Sequence, residues 1–265
     1  MILAVFREAM TMLGWRADIL VLLAILIATF LLLLALNRFW PVARRTMHNE
    51  LIGWQLGTLG TIYAVILGFM LFTVWSNFSA AGLNVEMEAN AARNLFRIAE
   101  GMPQPQRERI ERLTRQYVKA VIEDDWPQME HGEMPEISHG INQKLWRTLM
   151  STKEVTPAQS VAEDHALAAL SELTEHRRTR LLQNVSSLPG ILWCVLLVGG
   201  GLTVVSVTMF GAVDVRLHTI QLFSLTILIT LIVLAIADLD RPFQGWVHVS
   251  EYSLQRAEQN LTELD

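Results

Sequence analysis

Four stretches of this sequence are each long and apolar enough to cross a lipid bilayer, and that leaves few folds open to the chain. A hydrocarbon core of about 30 Å takes about 20 helical residues, each rising about 1.5 Å. The first stretch, Ile19 to Leu36, holds no charge; Asp18 precedes it and Asn37-Arg38 follow, with Phe39 and Trp40 at the depth where aromatic rings anchor. The second runs from about Leu56 to Ser76, uncharged but rich in Gly and Thr. The third runs from about Leu188 to Phe210, opened by Pro189 and flanked by Trp193. The fourth runs from His218 to Ala237 and stops at Asp238. The first stretch is longer than the apolar region of a signal peptide, and no small-x-small cleavage site follows it. Ahead of it, residues 1–16 carry Arg7, Arg16 and Trp15 and read as a short interfacial helix or a disordered start.

The composition agrees. Of 265 residues 52% are hydrophobic and 18% charged, and the mean hydropathy is +0.33. Soluble domains carry about 25% charged residues. The net charge of −5 comes with no basic block, which excludes a nucleic-acid partner. Cys194 is the single cysteine, so an intrachain disulfide and CxxC metal spacing are both impossible; it reads as a small lipid- or helix-facing residue.

Four crossings place both termini and the long middle segment on one side. That side carries Arg7, Arg16, Arg93, Arg97, Arg177, Arg178, Arg180, Arg241 and Arg256 within reach of the membrane; the other carries Arg38, Arg44, Arg45 and Arg216. The excess favours a cytoplasmic location for termini and insert, in a cell inner (plasma) membrane, although the short first loop with its three Arg argues the other way.

Residues 80–187 hold 13 Lys and Arg against 16 Asp and Glu, a net of −3, in a helical pattern. Ala89, Ala92, Leu95, Phe96 and Ala99 recur at spacings of three and four before Gly101-Met-Pro-Gln-Pro breaks the helix. A second helix is expected from about Pro105 to Asp125, with Ile110, Leu113, Tyr117 and Val121 on one face, ended by Trp126-Pro127. The stretch to Pro135 reads as loop, and a third helix covers roughly Ile137 to Met150. Thr156-Pro157 starts a fourth, running through Leu167, Leu170, Leu173 and Leu181 to Ser186-Ser187-Leu188-Pro189. The second span meets no breaker beyond Gly82, so it is expected to continue as one helix to about Glu100, making the insert an extension of the membrane bundle. The tail from Asp238 onward holds two Arg and six acidic residues and ends in a short amphipathic helix.

No constellation for catalysis or metal binding emerges. Glu172 and His176 are four apart, with Glu163, Asp164 and His165 nearby, but the paired Glu-x-x-His of a di-iron bundle and HExxH are both missing, so these read as a solvated helical face. Gly199-Gly200-Gly201 lies inside a span with no Lys-Ser/Thr after it, so it is no phosphate loop. No enzyme activity, metal or cofactor is expected. No ionisable residue stands mid-span and no pair of spans is broken, so a coupled transporter is not expected either. A passive conduit and a scaffold remain.

The second span carries two stripes. Gly53, Gly57, Gly60, Ala64 and Gly68 cluster on one side, where small residues let helices pack closely in lipid. Beside them Thr61, Val65, Phe69, Phe72 and Ser76 form a stripe that reads either as lipid- or partner-facing bulk or as the lining of a pore, where apolar rings gate by dewetting.

Val65-Ile-Leu-Gly-Phe-Met-Leu-Phe-Thr-Val-Trp75 resembles the pore-lining second helix of bestrophin channels, and Asp240-Arg241-Pro242-Phe243-Gln244-Gly245 resembles the Asn-Pro-Phe-Gly segment after their last membrane helix. Asn49-x-x-x-Gly53, Glu86-x-Glu88, Trp126-Pro127, Arg177-x-x-Arg180-Leu and Arg-Pro-Phe-x-Gly resemble, over nearly the whole chain, a bacterial bestrophin-like family of undefined function. The resemblance implies a homopentameric anion channel with its soluble mass in the cytosol and a neck at Thr61, Val65 and Phe69. Only Phe69 keeps the family's aromatic character there, which implies a wider, less apolar neck. The acidic calcium-binding run is replaced by Trp246-Val-His-Val-Ser, and the Arg-Trp-Trp end of the second helix by Val74-Trp75-Ser76-Asn77-Phe78.

The sequence therefore points to an all-α polytopic membrane protein of bestrophin-like fold. Its segments are an N-terminal interfacial segment (1–17), a first hairpin of spans (18–78), a charged helical cytoplasmic insert (79–187), a second hairpin (188–237) and a C-terminal tail (238–265). Its expected partners are membrane lipid, further copies of itself as a pentamer, and small inorganic ions; anion selectivity comes from the resemblance alone. The alternative is a non-conducting membrane scaffold whose insert binds a partner.

Overall fold

The computed structural model describes residues 15–151 and 156–263; the interfacial segment expected ahead of residue 15 lies outside them. Every regular element among the described residues is helical. In chain order these are α1 (Trp15–Phe39), α2 (Val42–Arg45), a 3-10 turn (Thr46–His48), α3 (Asn49–Ala99), α4 (Gln106–Ala120), a π-helical segment (Val121–Asp125), α5 (Trp126–Glu130), α6 (Ile137–Met150), α7 (Pro157–Val185), α8 (Gly190–Met209), α9 (Val215–Leu239) and α10 (Tyr252–Glu263). Among the described residues four helices, α1, α3, α8 and α9, are long and apolar enough to cross a membrane.

The ends of these helices follow local chemistry. Thr156 caps α7 with a full capping box: its hydroxyl accepts from Gln159 N, and the Gln159 side chain accepts from Thr156 N. Asp214 caps α9 by accepting from the backbone N–H of Arg216 and Leu217. The expected continuation of the second span past the membrane ends at Ala99, so α3 is a single helix of 51 residues. One expectation fails. Trp126-Pro127 does not end a helix; the chain stays helical through it to Glu130. Proline costs a helix its N–H bond and a clash with the carbonyl four residues back. The π segment ahead of it widens the turn, and Pro127 then falls in the first turn of α5, where no N–H partner is required.

The chain divides into two compact units. The first comprises Met1–Ser76 and Ser187–Asp240. Here α1 packs against α8 and α9, α8 packs against α9, and Phe30 meets Phe223 edge-on. The α3 side chains Tyr63, Leu67 and Val74 share a core with Leu196, Ile229 and Ile236. Hydroxyls inside these helices bond back to their own turns: Thr61 to Gly57 O, Thr73 to Phe69 O, Thr203 to Gly199 O and Thr226 to Leu222 O, each at 2.8 Å. A hydroxyl satisfied in this way can face hydrocarbon without an orphaned donor. Tyr63 donates to the Leu196 carbonyl at 2.9 Å and lays its ring over Gly199 and Gly200. A Cβ on Gly199 would stand 2.5 Å from Tyr63 Cδ2.

The second unit comprises Asn77–Ser186 and Arg241–Asp265. Its core takes Val85, Leu95 and Phe96 from α3, Ile110 and Tyr117 from α4, Leu145 and Leu149 from α6, Leu170 and Leu173 from α7, and Leu254, Ala257 and Leu261 from α10. At its centre lies a buried ionic network. Arg180 Nε donates to Glu88 Oε2 at 2.7 Å, and its Nη2 donates to Glu88 Oε1 at 3.1 Å and to Asp125 Oδ2 at 3.2 Å. Tyr117 donates its hydroxyl to Glu88 Oε1 at 2.6 Å. Ser138 donates to Asp125 Oδ2 at 2.6 Å and accepts from Arg177 Nε at 2.8 Å. Burial pushes the Tyr117 phenol well above its ordinary value of 10.0, and the neighbouring Glu88 carboxylate pushes it the same way. Desolvation pulls Arg180 down, but Glu88, together with Tyr117 and Asp125, more than offsets this and holds the guanidinium above its ordinary value.

Removing Arg180 leaves two carboxylates buried without their cation, so Arg180→Met should destabilise the second unit by about 3–5 kcal/mol, read as a lower thermal unfolding midpoint of the purified protein. Unfolded tyrosine releases its proton at about pH 10, whereas folded Tyr117 retains it. Stability from this group is therefore complete below about pH 10 and falls as the pH rises above it; unfolding followed against pH should show that decline, and Tyr117→Phe should flatten it. Gly199→Ala should cost about 1–3 kcal/mol by overpacking Tyr63, with much of the loss recovered when Tyr63→Leu is added.

Candidate functional site

Because α3 is unbroken, the direction of each side chain around it follows from residue number at about 100° per position. One side of this helix is consumed by the chain's own cores. Tyr63, Leu67 and Val74 are 4%, 6% and 1% exposed, and Ala81, Val85, Glu88, Ala92, Leu95 and Ala99 continue the same buried line. The opposite side is open. Thr61, Val65, Phe69, Phe72 and Ser76 are all exposed, with Val65, Phe69 and Phe72 at 54%, 67% and 69%. Sequence spacing had set these five on one stripe, and the structure places that stripe opposite the core. It does not stop at the membrane-length stretch: Ser79, Leu83, Glu86, Met87, Asn94 and Arg97 carry it onward, all exposed.

The small-residue stripe lies beside it. Open space surrounds the position of a Cβ on Gly57, Gly60 and Gly68, Ala64 is exposed, and the nearest such neighbour of Gly53 is Phe210 Cε2 at 3.8 Å. Among the described residues, then, these positions make no tight helix contact within the chain. The close approach of α3 to its own chain is made by Tyr63 against Gly199 and Gly200. Sequence reasoning set those glycines aside after finding no phosphate loop; a Tyr in one apolar run and a Gly pair in another were the available signal.

The resemblance motifs turn out to be structural pieces. Asn49 clamps the α8–α9 connection, donating to Gly211 O at 2.7 Å and accepting from Gly211 N at 2.8 Å. The Glu86-x-Glu88 pair splits, because two positions turn the helix by about 200°: Glu88 enters the buried network and Glu86 joins the open stripe. Arg180 and Trp126 meet the same core, where Trp126 packs edge-on against Phe243 with ring centroids 5.6 Å apart. In the segment after the last span, Asp240 accepts from Leu188 N at 2.7 Å, Arg241 donates to Gln244 Oε1 at 2.6 Å, and the Pro242 carbonyl accepts from Val249 N at 2.7 Å. Gly245 turns the chain there with φ of 85°, a conformation that favours glycine. Pro242 and Phe243 are buried. None of these motif residues outside α3 offers an open site. Their geometry fixes backbone segments, whereas the stripe on α3 is exposed.

Solved structures with this arrangement exist. A bacterial bestrophin homologue from Klebsiella pneumoniae superposes with a TM-score of 0.68 over 93% of this chain and 97% of its own, at 14% identity. A single-substitution variant of that homologue gives a TM-score of 0.69 at 14% identity, covering 93% of this chain and 98% of its own. No curated protein sequence matches the chain significantly. The model of the Bestrophin-like domain, however, matches residues 22–254, and with nearly the whole chain inside that match, this protein belongs to the Bestrophin-like domain family.

Proposed function

We propose that this protein is a homo-oligomeric ion channel, pentameric as the resemblance to bestrophins implies, with α3 of each copy lining a central pore. One observation carries the reading. A helix of membrane-spanning length keeps an exposed stripe of Thr61, Val65, Phe69, Phe72 and Ser76 directly opposite the side that its own chain covers. In a closed rotational assembly such a stripe faces the axis, and the apolar members form stacked rings. Gly53, Gly57, Gly60, Ala64 and Gly68 stand beside it with room around them, and take the neighbouring copy's helices at close range. The spans form two hairpins, in chain order, with the insert and termini in the cytoplasm and the protein in the inner membrane. Anions are the transported class by resemblance; the charges on the open stripe beyond the neck are of both signs, Glu86 and Arg97.

Purified protein in planar lipid bilayers should conduct, and Phe69→Ala should change the unitary conductance several-fold while leaving assembly size unaltered. Absence of current from the wild-type protein, or identical currents from the variant, would overturn the pore assignment. The competing scaffold reading would instead require a partner bound in fixed stoichiometry to a non-conducting assembly.

A further inference from the structure

The connection from α1 to α3 is tied down from inside. Arg45, buried with 1% of its surface exposed, donates from Nη1 to the Thr208 carbonyl at 3.0 Å and from Nη2 to Asn37 Oδ1. Asn49 clamps Gly211, where a Cβ would stand 2.6 Å from Thr46 N. The α1–α3 and α8–α9 connections therefore form one bonded end of the membrane unit. Asn37 and Arg45 are joined, so Arg38 and Arg44, their chain neighbours, stand on either side of one bond. Both are exposed, as is Arg216 in the first turn of α9. Among the described residues none of the three makes an ion pair. The acids between residues 37 and 54 and between 208 and 218 are Glu50 and Asp214, and Asp214 already accepts from two backbone N–H groups. Large apolar side chains stand out among these cations. Phe39, Met47 and Val213 are 86%, 80% and 92% exposed, and Leu51 and Trp54 are exposed on the first turns of α3. Solvated cations alone would need no such neighbours. Cations and proud apolar groups together, at the end of helices of membrane-spanning length, match a molecule with an anionic head and an apolar body.

We propose that this end of the membrane unit is a binding surface for anionic phospholipid. Arg38 and Arg44 take the headgroup phosphate, whose oxygens suit the guanidinium fork. Arg216 adds charge from the α9 side, and Phe39 and Met47 lie along the acyl chains. Arg45 is no ligand here. It is the buried post that holds the two connections, and with them the exposed arginines, in place. The surface is separate from the Thr61, Val65 and Phe69 stripe and does not depend on conduction.

The test uses the full chain in detergent, mixed with phosphatidylglycerol or with phosphatidylcholine of the same acyl chains. Native mass spectrometry counts the lipid retained per subunit, and the thermal unfolding midpoint is followed against lipid concentration. Phosphatidylglycerol should be retained and should raise the midpoint; phosphatidylcholine and soluble glycerol phosphate should do neither. Replacing Arg38→Gln and Arg44→Gln together should weaken the apparent affinity for phosphatidylglycerol about fivefold per arginine. The control pair Arg109→Gln and Arg112→Gln removes two exposed charges from α4 in the second unit and should leave that affinity unchanged. A second measurement needs no variant: added sodium chloride should weaken the wild-type preference, because the charges are exposed. Equal retention of the two lipids, or a matching midpoint shift from glycerol phosphate, would overturn the assignment. So would undiminished affinity in the Arg38/Arg44 pair, an equal loss in the control pair, or a preference indifferent to salt.

Discussion

A peptide group in hydrocarbon has no water to bond to, so each one must be satisfied within its own helix or by a side chain that travels with it. That constraint shapes the membrane unit at every scale. It makes the spans helices, and it turns Thr61, Thr73, Thr203 and Thr226 back onto carbonyls of their own turns. It also explains how the helix ends are handled. Asn49 takes both backbone groups of Gly211, Asp240 takes Leu188 N, and Arg45 reaches a carbonyl in the last turn of α8. Each is a polar side chain bound to backbone that no helix can serve.

The second unit faces a different problem. Its helices carry ordinary amphipathic faces, but a complete ion network sits among them. Two acids and Arg180, with Tyr117, Ser138 and Arg177 at the edges, fill each other's bonding capacity. Such a network adds little net stability over apolar packing, yet it tolerates no missing member. It fixes which face of α3 turns inward at Glu88.

The spans were legible in the sequence because hydropathy is local: nothing outside an apolar run is needed to recognise it. The length of α3 was legible for a similar reason, as no residue after Gly82 interrupts it until Ala99. The apolar faces of α4 and α7 were legible through their period. What escaped was long-range or compensated. Pro127 looks like a terminator until a π turn makes room for it. Glu86 and Glu88 stand in one short motif, but the helix turns Glu88 inward and leaves Glu86 exposed. Arg45 looks like one more loop cation, because burial by segments more than 160 residues away leaves no trace nearby. The glycine stripe was visible, but Gly57, Gly60 and Gly68 have open space around them, while Gly199 and Gly200, in tight contact with Tyr63, are in α8.

The segment after the last span has a consequence for how the chain is made. Phe243, Leu254, Ala257 and Leu261 belong to the core of the second unit, together with helices encoded before α8 and α9. Synthesis proceeds from the N-terminus and domains usually close as they emerge. This unit cannot: Trp126 and the α4 face wait, partly uncovered, until two more membrane helices have been produced and the final residues follow. Completion of the second unit's core thus waits until α8 and α9 have been made. A chain truncated after α9 would keep every span and still display an unfilled hydrophobic surface, which is the kind of surface that chaperones and proteases recognise.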